Sequence, residues 1–94
     1  MKQVSTGTGH TIAVKFSATG SITVFYDGNE VARASTGFLG FVGANGVFNI
    51  NENGSTVTYE CSTRPALAFD AHLTVRRNGV VIYTDWITLN LTVV

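Results

Sequence analysis

Charge is what this 94-residue chain has least of: 13% of its residues are charged, six basic against six acidic. An average soluble domain carries about a quarter. The zero formal net charge argues against nucleic-acid binding, which calls for a basic excess to neutralise phosphates. A disordered chain would need more charge and fewer β-branched residues. Cysteine is nearly missing too. Cys61 stands alone, closes no internal bridge, and reads as a buried free thiol acting as a small hydrophobe. No run approaches the roughly 18 apolar residues of a membrane span, so membrane insertion is not expected. The opening MKQVSTGTGH has no apolar h-region, so no signal peptide is expected in this chain.

What is present is apolar and β-branched. The chain is 45% hydrophobic, enough for one core without metal or disulfide, so residues 1–94 are read as a single domain. Thr, Asn and Gly supply most of the polar surface. Such a surface suits secreted, cell-surface or virion proteins, and its low charge favours self-association. Asn53-Gly-Ser and Asn90-Leu-Thr fit the glycosylation pattern, but triplets of this kind are common by chance.

The informative signal is a turn dipeptide recurring at similar spacing: Asp27-Gly28, Asn53-Gly54 and Asn78-Gly79. Each lies between alternating runs, SITVFYDGNEVARA, VFNINENGSTVTYEC and HLTVRRNGVVIYTD. Both central residues of a type I′ turn need φ > 0, which Asn or Asp followed by Gly tolerates best. Three hairpins with two-residue turns are expected. Such a turn fixes every cross-strand pair. The third pairs become Val24–Val31, Ile50–Val57 and Val75–Ile82; the fifth become Ile22–Arg33, Phe48–Tyr59 and Leu73–Thr84. Asn49–Thr58 and Thr74–Tyr83 fall between them, on a wet face.

The flanking runs alternate as well. TIAVKFSA puts Ile12, Val14 and Phe16 on one side, and WITLNLTVV puts Ile87, Leu89, Leu91 and Val93 inward. No segment keeps a helical period over ten residues. The expected fold is all-β: an antiparallel β-sandwich of about eight strands, with another small sandwich or barrel as the alternative.

In STVTYECS, Val57, Tyr59 and Cys61 share the buried parity, while Thr56, Thr58, Glu60 and Ser62 face out. This Tyr-x-Cys strand resembles the penultimate strand of an immunoglobulin-like domain, where a Tyr two residues before the Cys makes a corner hydrogen bond. ITVFYDGNEV resembles the third strand and turn of such domains. The resemblance covers residues 10–62. It departs from antibody-type domains in lacking a partner cysteine in HTIAVKFSAT and a Trp in ITVFY. It is therefore closer to the cysteine-poor immunoglobulin-like modules of bacterial surface and phage proteins. The stretch 10–37 is also similar to paired strands of laminin-G and concanavalin-like lectin domains, which are nearly twice this length.

No catalytic set is visible. His10 and His72 lie far apart, Cys61 has inward parity, acidic residues are scattered singly, and no spacing suits zinc or a phosphate-cradling loop. No enzyme activity, cofactor or metal is expected. Two surfaces remain as candidates. The sixth pair of the third hairpin puts His72 opposite Asp85 as an ion pair that would raise the imidazole pKa. It puts both on one face with Thr74, Arg76, Val81 and Tyr83, next to Trp86. Aromatics and Arg dominate contact hot spots; the plainer reading is a solvated face. Residues 36–46 carry Phe38, Leu39, Phe41 and Val42 among glycines. These either close the end of the core or dock a partner.

The expected function is a non-catalytic structural or interaction module, part of a phage virion or bacterial surface assembly. Contacts through strand edges and the Gly-rich loop would engage a protein partner or a second copy, giving a homo-oligomer. Two alternatives stand beside it: a carbohydrate-binding domain using Trp86, Tyr83 or Tyr26, and a small inhibitor that occludes a host protein.

Overall fold

The computed structural model describes residues 1–17, 21–34, 43–67 and 70–88, with backbone alone at 65–67, 70 and 88. Eight strands form: β1 Lys2–Ser5, β2 Thr11–Phe16, β3 Ile22–Tyr26, β4 Asn29–Ala34, β5 Asn45–Glu52, β6 Ser55–Leu67, β7 Asp70–Arg77 and β8 Val80–Thr88. They make two antiparallel four-stranded sheets in simple sequence order, β1-β2-β3-β4 and β5-β6-β7-β8. The all-β sandwich expected from the alternation is what forms. Each sheet is a meander, with consecutive strands staying in one layer. The immunoglobulin arrangement sends the chain between sheets, whereas here it completes one layer before entering the other.

All three expected turns close with positive φ at both central residues: Asp27 (50°) and Gly28 (86°), Asn53 (53°) and Gly54 (83°), Asn78 (49°) and Gly79 (83°). That is the backbone of a type I′ turn, whose twist matches the strands it joins. Beyond the turns the hairpins differ. β5 and β6 keep the expected register throughout, including Ile50↔Val57, Asn49↔Thr58 and Phe48↔Tyr59.

The other two hairpins each carry a bulge, which overturns the pairs expected of them. In β4 the extra residue is Val31, so Val24 faces Ala32 and Ile22 faces Ala34. The reason is charge: an unbulged β4 would turn Arg33 into the core, whereas the bulge leaves it outside, 2.9 Å from Glu30. In β8 the extra residue is Ile82, so Val75 faces Tyr83, Thr74 faces Thr84, Leu73 faces Asp85 and His72 faces Trp86. A bulge puts two residues opposite one and reverses the facing of everything beyond it. Here it turns Ile87 inward, where it is buried, and Trp86 outward.

The core lies between the layers. Ile12, Val14, Ile22 and Val24 come from the N-terminal sheet; Val57, Tyr59, Cys61, Leu73 and Val75 come from the C-terminal sheet, and all are fully buried or nearly so. Each large aliphatic removed from water stabilises the fold by roughly 1.5–3 kcal/mol before entropy is counted. The sheets draw together where β4 and β3 approach β5. There Gly46 points inward, and a Cβ on it would stand 3.5 Å from Val24 and 3.6 Å from Ala32. At the opposite edge Lys2 of β1 reaches Asp85 of β8 at 3.1 Å. The candidate residues Phe38, Leu39, Phe41 and Val42, and the inward positions expected at Leu89, Leu91 and Val93, lie outside the described residues.

Candidate functional site

Inward parity on β5 runs Phe48, Ile50, Glu52, and on β7 it runs Leu73, Val75, Arg77. At their ends these two lines leave the apolar core and meet as an ion pair. Arg77 Nη2 donates to Glu52 Oε1 at 2.9 Å. The hydroxyls of Tyr26 and Tyr59 donate to Glu52 Oε2 at 2.5 and 2.6 Å, and Arg77 Nε donates to the Tyr59 oxygen at 3.2 Å. The Glu52 side chain is only 3% exposed.

Tyr26, Phe48 and Tyr59 pack their rings around this carboxylate, with centroids 5.3–6.1 Å apart. His10 stacks on Tyr26 at 5.1 Å, and its Nδ1 lies 2.6 Å from Asp27 Oδ2. Asp27 also accepts the Thr11 backbone N–H at 2.9 Å, so the turn residue anchors β2 as well. The Tyr59 hydroxyl bonds to the Glu52 side chain, whereas the corner bond of an immunoglobulin-like domain goes to backbone.

The electrostatics follow from this geometry. Burial pushes the Glu52 carboxyl upward, but three hydrogen bonds and the Arg77 charge outweigh it and hold the group at about 2. Burial, then the bond to Glu52, raises both Tyr26 and Tyr59 above the ordinary phenol value. The Thr11 amide and then His10 lower Asp27. A general acid or base works best with a pKa near the operating pH, and Glu52 is far from it. Burial pushes the Cys61 thiol up to about 12, which removes it as a nucleophile near neutrality. No serine or threonine hydroxyl bonds to the His10 ring among the described residues. Nor do three His, Cys, Asp or Glu side chains gather there to hold a metal. The cluster ties the sheets together.

The expected His72–Asp85 pair does not form. Asp85 faces the other side of the sheet, where the Trp86 backbone N–H, then Lys2 and Tyr83, lower its pKa. Tyr83 turns with it and donates to Asp85 at 3.1 Å. His72, Arg76 and Trp86 do share the outer face, joined there by Arg64, Glu60, Thr74, Thr84 and Val81. Arg76 is held by Glu60 at 3.2 Å. Trp86 is 56% exposed, and the His72 ring meets its indole edge-on at 5.2 Å.

Sequence reasoning missed the Glu52 cluster, although a charged residue in an inward alternation was the available signal. No helix among the described residues is long and apolar enough to cross a membrane. Comparison with known proteins gives no matching family model, no matching curated protein and no matching solved structure.

Proposed function

We propose that the domain is a non-catalytic structural and interaction module, one unit of a larger assembly such as a phage virion or a bacterial surface, and that it docks through β5. The observation that carries this reading is the contrast between strand edges. β1 is four residues long and begins with Lys2. β4 and β8 are bulged, the first carrying Glu30 and Arg33, the second an inward Asp85. Short strands, bulges and charges of this kind are how proteins blunt edges against pairing. β5 is neither short nor bulged, and its single charged residue, Glu52, is buried at the strand's end in the pair with Arg77. It runs eight residues in unbroken register, presents Asn45, Val47, Asn49 and Asn51, and pairs only with β6 among the described residues.

An added strand would find main-chain partners there, as in recognition by strand addition. Low charge and zero net charge leave little repulsion between copies. Sedimentation equilibrium over a wide concentration range tests the reading. The wild type should associate, and Val47→Lys, which places a charge on that edge without touching the core, should be monomeric.

A second reading, carbohydrate binding, is supported by the exposure of Trp86 on a largely polar sheet face. A strictly monomeric wild type that loses glycan binding on Trp86→Ala would favour it over the first.

A further inference from the structure

We propose that the row Arg64–His72–Trp86 on the outer face of the C-terminal sheet binds an acidic saccharide; this rests on the carbohydrate reading and narrows its ligand. The register sets Arg64 opposite His72 and His72 opposite Trp86, across β6, β7 and β8. His72 holds the indole edge-on at 5.2 Å, and its Nε2 lies 3.1 Å from the Thr84 hydroxyl. The His72 ring thus braces the indole from one side while more than half of Trp86 stays in solvent. A flat aromatic surface of that kind matches the C–H face of a pyranose ring.

The neighbouring row, Asn45–Ser62–Thr74–Thr84, crosses all four strands and consists of amide and hydroxyl groups. It offers donors and acceptors to a polyol next to the stacking surface. Charge supplies the remaining constraint. Arg33, Arg76 and Arg77 are each paired with a carboxylate. Arg64 is exposed and has no ion pair among the described residues. A guanidinium fork of this sort takes a carboxylate or sulfate in two parallel bonds. Arg64 and Trp86 stand two strand spacings apart, about 10 Å, so the anionic group belongs to the sugar unit beside the stacked one.

The full chain is tested on an array carrying neutral, uronate, sialylated and sulfated glycans, beside an acidic peptide in solution. Binding should be confined to acidic glycans, the array separating carboxylate from sulfate. It should weaken about tenfold or more in Arg64→Gln and in Trp86→Ala and fall with added salt. Trp86 is the single tryptophan, so the wild type's own emission should shift on titration with a retained acidic glycan. That measurement needs no variant. Neutral glycans bound equally well, lost in Trp86→Ala but kept in Arg64→Gln, would overturn the acidic class and leave carbohydrate binding standing. No glycan bound at all would overturn both, as would binding of the acidic peptide alone. Unchanged emission with a retained glycan would place its site elsewhere.

Discussion

Tyr26, on the N-terminal sheet, donates its hydroxyl proton to the Glu52 carboxylate of the C-terminal sheet at 2.5 Å. With Tyr59 and Arg77 on the same carboxylate, the tie between layers is charge-assisted and shielded from water. Exchanging the carboxylate for an amide removes the charge and one acceptor oxygen, and sets an NH2 donor against groups that themselves donate. Glu52→Gln should therefore cost on the order of 2–4 kcal/mol. Tyr26→Phe, which deletes one donor, should cost about 1–2 kcal/mol. Urea unfolding measures both, and the order matters: a Tyr26→Phe loss exceeding that of Glu52→Gln would contradict the arrangement.

The same group sets the response to acid. Glu52 titrates at about 2 in the fold against an ordinary 4.5, so the unfolded chain takes up that proton at higher pH than the folded one. The stabilisation is complete above about pH 4.5 and drains away as pH falls toward 2. At the alkaline end the sign is reversed. Tyr26 and Tyr59 are raised above 10.0, so their contribution is whole below pH 10 and declines as pH rises beyond it. Urea midpoints across pH should show a plateau between these limits. In Glu52→Gln the acid slope should shrink.

Cys61 is fully buried, with its thiol pushed up to about 12. A thiol reagent should leave it untouched in the native protein and react with it in denaturant. Cys61→Ala should cost about 1 kcal/mol as a small cavity, and Cys61→Ser more, because a hydroxyl without a partner is costly there. Rapid native labelling would show that the core opens at β6.

The β4 bulge is tested by neighbouring substitutions. Arg33→Ala should change stability by less than about 0.5 kcal/mol, since that side chain is solvated. Ala32→Arg would place a charge against Val24 and Gly46 and should cost at least about 2 kcal/mol. An unbulged strand would reverse the two effects.

Much of the fold was legible because turn chemistry and alternation agree. The three Asx-Gly pairs fix the hairpins, and Val57, Tyr59 and Cys61 face inward as their parity requires. The bulges were legible only as a conflict. A strict two-residue register puts Arg33 inside, and it gives Ile82 and Ile87 opposite faces although both are apolar. One extra residue per strand resolves each contradiction. Nothing local in the sequence says where that residue sits, because packing across the sheet decides it. The candidate patch shows the same slip: a strict register joins Tyr83 and Asp85 to the face of His72 and Arg76, whereas the bulge sends both to the other face and brings Trp86 in their place. The Glu52 cluster was hidden for a different reason. Glu52, Tyr59 and Arg77 share the inner face of one sheet, but the β6–β7 register that sets Tyr59 against Arg77 has no tight-turn dipeptide to announce it, and Tyr26 joins only when the two layers stack.

Amide hydrogen exchange along β5, measured at low and high protein concentration, tests docking through that edge most directly. Alternate amides of Asn45–Glu52 should gain protection as concentration rises, and Val47→Lys should abolish the gain while leaving the melting midpoint at low concentration unchanged. Protection that does not vary with concentration, or that appears along β8 instead, would contradict it.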